Sequence, residues 1–160
     1  PFTEAETRRL LTEPLRYSSL WRDDDSKRPR FSPDFWGDNG IEHIHAEAGG
    51  WPHLVQLLAE TTVDLCNDQG QSRADQVLLE QAIAKAIVAG DTVLRQLMQP
   101  EDAASGEWDY LRGFRTRDIQ PLPDDEVVYQ ALRRRLLVAE ESGQWRLRVP
   151  LMQLWLRERG

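Results

Sequence analysis

Apolar residues recur at helical spacing through most of the chain. Residues 3–15 read as a short helix. Thr3 is placed to cap it, Glu4 and Glu6 lie at its positive end, and Phe2, Leu10, Leu11 and Leu15 supply apolar contacts. Pro14 sits near its exit. The spacing predicts a second helix over about 34–48, broken at 37–40, with Ile41, Ile44 and Ala48 on one face. Gly49-Gly50 stops it. A third helix starts at once, with Pro52 in the first turn, where a missing N–H costs nothing. Trp51, Leu54, Val55, Leu58, Thr62, Leu65 and Cys66 carry its pattern, and 67–72 ends it. The longest pattern covers 73–98, through Val77, Leu78, Ala82, Ile83, Ala86, Ile87, Val93, Leu94 and Leu97. Gly90-Asp91 marks a split, with Asp91 as the cap of the second piece.

Residues 16–34 are irregular. Asp23-Asp24-Asp25 is followed by Lys27, Arg28 and Arg30, with Pro29 and Pro33 between and after them. The segment reads as an exposed loop with short strands around 17–21 and 30–31. It lacks the spaced oxygen ligands and closing Glu of a Ca²⁺ loop.

Residues 100–106 are turn-rich and form the expected domain boundary. Beyond them, 106–115 reads as a short helix with Trp108, Leu111 and Phe114 inward. Pro121 and Pro123 follow, then a helix over 124–135 with Val127, Val128, Ala131 and Leu132 on one face. Strands at 136–140 and 144–149 flank a Ser142-Gly143 turn. Trp145, Leu147 and Val149 alternate with Arg146 and Arg148, so one strand face is buried. Pro150 ends the strand, and Leu151, Leu154 and Trp155 open a last helix. The expected fold is mainly α: a helical bundle over 1–100, then a winged-helix module with a small β-hairpin over 101–160.

Composition narrows the classes. A chain of 160 residues, 40% hydrophobic and 29% charged, can bury a core and is not wholly disordered. It contains no apolar run near the ~20 residues of a membrane helix. Glu4, Glu6 and Glu13 interrupt any secretory signal in residues 1–20. Cys66 stands alone, which leaves no disulfide framework and no cysteine zinc site. A cytoplasmic location without a membrane partner is expected. The net charge is −7. Residues 1–100 hold 10 Lys+Arg against 16 Asp+Glu, and residues 101–160 hold 10 against 11. Neither part is the basic body of a nucleic-acid binder. The start at Pro1 rather than Met leads us to expect an excised fragment or processed product.

Candidate chemistry is sparse. No Gly-Lys dipeptide exists, so no Walker A loop cradles a phosphate. The 136–141 run looks like an apolar strand ending in Mg²⁺-binding acids, but its Ser-Gly context favours a hairpin arm. His43 and His45, two apart on a helix, point to different sides, and His53 is eight residues on, so no metal ligand set is expected. No nucleophile–base arrangement has recognisable context, and enzymatic activity of this chain alone is not expected. The 49–58 segment is the most informative. Two glycines let backbone approach a ligand, and a helix N-terminus follows with free N–H groups. The same residues also fit a tight helix–helix corner anchored by Trp51, the reading that residue chemistry alone favours.

Gly49-Gly50-Trp51-Pro52-His53-Leu54 resembles the Gly-Gly-x-Pro-x-Leu motif in the helical lid of STAND-type P-loop ATPases, a branch related to AAA+ proteins. Pro1-Phe2-Thr3-Glu4-Ala5-Glu6 is similar to the phrase that opens that lid. The run from Trp145 to Leu156 resembles the end of the winged-helix domain that follows it. The resemblance spans nearly the whole chain, in the family's order. It implies a regulatory, nucleotide-sensing switch that closes over ATP or ADP with Mg²⁺ held by an upstream P-loop domain of the same chain. Gly50, Trp51, Pro52 and His53 would then lie against the base and ribose. It further implies another protein or self-assembly as partner, and an exposed apolar patch near Trp51, Trp36 or Trp155. The chain departs from the family in lacking the P-loop core. Trp51 also stands where a small, polar or histidine residue is more usual, and 22–30 looks like an insertion.

Two alternatives stand beside it. A winged-helix DNA-binding regulator would use Arg133, Arg134, Arg146 and Arg148. However, Asp124, Asp125 and Glu126 at the start of the docking helix have the wrong sign for phosphates. A protein-binding adaptor would need no nucleotide.

Overall fold

A computed structural model describes residues 1–13 and 34–160. The loop and strands expected within 16–33, and the helix exit at 14–15, lie outside the described residues. The chain divides into two compact units, Pro1–Lys85 and Ala86–Gly160. The division falls inside a helix, whereas the turn-rich 100–106 segment lies within the second unit. Among the described residues the protein is mainly helical, with one two-stranded antiparallel sheet.

The first unit begins with α1 (Glu4–Thr12). Its start is a capping box: Glu6 N–H donates to Thr3 Oγ1 at 3.2 Å, and Thr3 N–H donates to the Glu6 carboxylate at 2.7 Å. That second bond holds the Glu6 carboxyl below its ordinary value. Residues 34–39 form turns, so the second helix is shorter than predicted, α2 (Gly40–Ala48). Ile41, Ile44 and Ala48 are buried along it, as their spacing requires. The third helix is α3 (Pro52–Gln69), and Gly70 caps its end in a left-handed conformation. It is followed by α4 (Gln76–Ala89), whose first turn is held by Leu78 N–H donating to Asp75 at 2.8 Å. Helix α1 packs on α2 and α3. Trp36 is buried and its indole N–H donates to the Leu11 carbonyl at 3.2 Å.

The second unit contains α5 (Asp91–Met98), α6 (Glu107–Arg112) with a 3-10 turn (Gly113–Arg115), and α7 (Glu126–Arg134). Strands β1 (Val138–Glu141) and β2 (Gln144–Leu147) and helix α8 (Pro150–Arg159) complete it. β1 pairs antiparallel with β2, with Val138 opposite Leu147 and Glu141 opposite Gln144. Gln120 adds a short antiparallel bridge to Trp145 on the other edge of β2. Strand β2 packs against α8, whose Leu151, Met152, Trp155 and Leu156 are fully buried.

Several expectations need correcting. Val77, Val93 and Val127 face solvent although the periodicity assigned them to core faces. Asp91 does not cap α5, because its carboxylate is taken by the Trp155 indole N–H at 2.7 Å and by Arg159 at 3.0 Å. Leu136 stands outside the strand with a left-handed backbone, φ 56°, and β1 begins two residues later. Pro150 opens α8 rather than merely ending β2.

Candidate functional site

The Gly49–His53 corner is built by α2 ending against α3. Gly49 and Gly50 both adopt left-handed backbones, φ 60° and 73°. Gly50 N–H donates to the His45 carbonyl at 3.1 Å, and Trp51 N–H to that of Ala48 at 3.1 Å. These bonds satisfy carbonyls that the end of α2 would otherwise leave open. The Trp51 carbonyl then receives Leu54 N–H and Val55 N–H, which starts α3.

Gly50 has a specific neighbour. Its carbonyl accepts the Phe2 N–H at 2.5 Å. A Cβ added to Gly50 would lie 2.5 Å from the Phe2 carbonyl oxygen and 3.2 Å from His45 Cε1. The close approach that glycine permits is therefore made by the chain's own second residue. Two side-chain contacts reinforce this clamp. The buried Thr7 hydroxyl lies 2.7 Å from His45 Nδ1, and Arg8 pairs with Glu42 at 2.6 Å.

Of the residues that sequence reasoning placed against a nucleotide, Gly50 is buried, Trp51 half-buried, and Pro52 and His53 exposed. The structure brings the four together on one corner. The Trp51 indole N–H is buried without a hydrogen-bond partner among the described residues. Such an orphan donor costs about 1–3 kcal/mol. The exposed apolar patch expected near three tryptophans is not formed by Trp36 or Trp155, which are 3% and 0% exposed.

The histidines diverge as the helix period requires. His43 faces Glu47 at 3.8 Å, while His45 turns to Thr7. Burial raises the Glu47 carboxyl above its ordinary value, and His43 opposes that shift. No group of three or more His, Cys, Asp or Glu is arranged to hold a metal ion among the described residues. A cleft of about 910 Å³ lies at the start of α2, between Trp36, Asp38, His43, Arg73, Asp75 and Leu79, and does not include Gly50–His53.

The four arginines of the DNA alternative lie within the second unit. Arg133 sits over the Tyr129 ring, 5.5 Å from its centroid, and Arg146 pairs with Glu141 at 3.3 Å. Arg134 is exposed and Arg148 half-buried. Asp125 caps α7 by accepting Val127 N–H at 2.8 Å, so a carboxylate occupies the helix end that would have to meet phosphate.

Two networks have no signature in the sequence pattern. Glu107, 1% exposed, accepts from Arg135 at 2.5 Å and from Ala104 N–H, and Arg135 also donates to the Leu97 carbonyl. A second network stacks Tyr129 on Trp145 at 4.9 Å, with Tyr110 edge-on to Trp145 and to Phe114. Tyr110 donates its hydroxyl to the Pro121 carbonyl at 2.8 Å, and burial pushes its pKa up to about 12. Glu107 and Arg135 are 28 residues apart, and nothing in the sequence links them.

No protein-family model, curated protein or solved structure matches this chain.

Proposed function

We propose that this chain is the regulatory, nucleotide-sensing lid and winged-helix portion of a larger STAND/AAA+-like ATPase, acting as a conformational switch. The observation that carries the reading is the Gly49–His53 corner. It presents exposed Pro52 and His53 beside a half-buried Trp51 whose indole N–H has no acceptor among the described residues. These groups suit the apolar and polar edges of a base and ribose. They do not suit phosphates, because Pro52 has no N–H and the Gly50 and Trp51 N–H groups already donate to the His45 and Ala48 carbonyls. Phosphates and Mg²⁺ would belong to the upstream P-loop domain, which would supply the hydrolytic chemistry. In this reading Gly50 serves the clamp on Phe2, while Trp51, Pro52 and His53 face the nucleotide.

The second unit supports a winged-helix assignment. Helix α6, the Gln120 bridge, helix α7 and the β1–β2 hairpin follow one another in that order. A protein-facing role suits it better than DNA, given the capped acidic start of α7 and the pairing of Arg146. Nucleotide state would set whether lid and winged helix stay folded on the core, and so control assembly or an effector.

The test reads the gene upstream of the Pro1 codon. An in-frame Gly-x-x-x-x-Gly-Lys-Ser/Thr loop a domain's length before it is the expected result, and its absence would sink the proposal. In the protein carrying that loop, His53→Ala weakens ATP or ADP binding without altering thermal stability, since His53 is exposed. Unchanged affinity would remove the corner from the nucleotide site. Salt-sensitive duplex DNA binding that is lost with Arg134→Ala or Arg148→Ala would instead favour the DNA reading.

A further inference from the structure

Helix α4 is apolar on two sides. Leu78, Leu79, Ala82, Ala86 and Ile87 are buried along one face. The opposite face also carries apolar residues: Val77 is 62% exposed, Val88 is 55% exposed, and Ala84 lies exposed between them. A helix with apolar residues all round is normally covered all round. Single exposed valines are ordinary on protein surfaces, so the case rests on their spacing and on the charges beside them.

Val77, Gln81, Ala84 and Val88 follow one another at intervals of four, three and four. That is the spacing of a coiled-coil seam, with Val77 and Ala84 at d and Gln81, whose side chain accepts from Gln69 Nε2 at 2.8 Å, and Val88 at a. Glu80 then falls at g and Lys85 at e, one on each flank of the seam, and both are exposed. In a parallel pair of such helices, the g residue of one copy meets the e residue five positions on in the other. Glu80 would meet Lys85 of the second copy, and symmetry repeats the pair on the other flank. In an antiparallel pair the two Glu80 residues would share one flank and the two Lys85 residues the other. Like charges would then be set side by side, which disfavours that arrangement. Lys85 is one of only two lysines in a chain with 20 Lys and Arg, and it occupies the position that this pairing uses.

We propose that the exposed face of α4 is a self-association surface. Two copies of the chain pair their α4 helices in parallel, with Val77, Gln81, Ala84 and Val88 each opposite its own counterpart. Two Glu80–Lys85 ion pairs set the direction. The seam covers only two heptads, so the association is weak and concentration-dependent. It does not depend on the nucleotide reading.

Sedimentation equilibrium on the full 160-residue chain across micromolar to millimolar concentration tests it. A reversible monomer–dimer equilibrium is expected. The double variant Val77→Asp/Val88→Asp remains monomeric with an unchanged far-UV circular dichroism spectrum, because both positions are exposed. Glu80→Lys places like charges opposite each other and weakens the dimer about tenfold. Adding Lys85→Glu to that variant restores affinity to within about threefold. Direction is read separately: Gln81→Cys is linked into a disulfide dimer by a mild oxidant, while buried Cys66 stays out of reach. A chain that stays monomeric throughout would overturn the proposal. So would a dimer indifferent to the valine and charge variants, or one in which Gln81→Cys fails to cross-link.

Discussion

Gly50 and Glu107 show how much a single residue can decide. At Gly50 the backbone is left-handed and a Cβ would strike the Phe2 carbonyl, a backbone atom that cannot swing aside. Gly50→Ala should therefore destabilise the first unit by about 1–3 kcal/mol from backbone strain alone, with the clash added. Urea denaturation monitored by circular dichroism checks this, and a loss under about 0.5 kcal/mol would show that neither the left-handed backbone nor the Phe2 contact constrains this position. At Glu107 the carboxylate is nearly sealed from water and receives both Arg135 and a backbone N–H. Glu107→Ala leaves Arg135 without its counter-charge and should cost about 3–5 kcal/mol. The double variant Glu107→Ala/Arg135→Ala should lose clearly less than the two single losses combined, because one interaction is being removed twice. Additive losses would show that the two side chains act separately.

At the scale of elements, local chemistry governs the ends. Asp125 satisfies Val127 N–H at the start of α7, so Asp125→Ala should cost about 1 kcal/mol. The hairpin turn places Ser142 and Gly143 at φ 53° and 75°. Asn accepts that conformation better than Ser, so Ser142→Asn should raise the unfolding midpoint slightly, whereas Ser142→Val should lower it. These ends are legible in the sequence because they rest on neighbours: Thr3 with Glu6, Gly49-Gly50 before Pro52, Ser142-Gly143 between alternating residues. Helix faces are legible where one side is plainly polar, as in α2. They are misread where apolar residues fall on both sides, and for that reason the periodicity assigns Val77, Val93 and Val127 inward although they face solvent. The corner's four residues are adjacent in sequence and so are found together. Its partner Phe2 lies 48 residues away, and the Glu107–Arg135 pair is equally hidden, because nothing local encodes a long-range contact. The turn-rich 100–106 segment looks like a boundary, yet the compact units divide within α4, whose continuous helical pattern conceals the division.

For the molecule as a whole, titration should trim stability at both ends of the pH scale. Bonds from Trp155 and Arg159 hold the Asp91 carboxyl below its ordinary value of 3.8, and the Thr3 backbone does the same for Glu6. A folded pKa below the unfolded one gives stability that is complete above the unfolded value and fades as pH falls through the folded one. Glu47 works the other way: burial raises its pKa above its ordinary value, so as pH falls through the raised folded value protonation relieves a cost and blunts the acid loss. Tyr110, raised to about 12 by burial, contributes fully below pH 10, and its contribution disappears as pH climbs from 10 towards 12. Asp91→Asn should flatten the acid limb of a stability-versus-pH profile and Tyr110→Phe the alkaline limb, read as urea midpoints. A profile that keeps both limbs in these variants would refute the assignment. The clamp of Phe2 on Gly50 carries a mechanical consequence as well. Tension applied through the amino terminus reaches the Phe2–Gly50 hydrogen bond and the Thr3–Glu6 cap before it loads the apolar packing of α2 against α3. A pull too small to unfold the unit would peel residue 2 from the corner first, uncovering the Gly50 carbonyl and turning the amino-terminal strap into a force-sensitive latch.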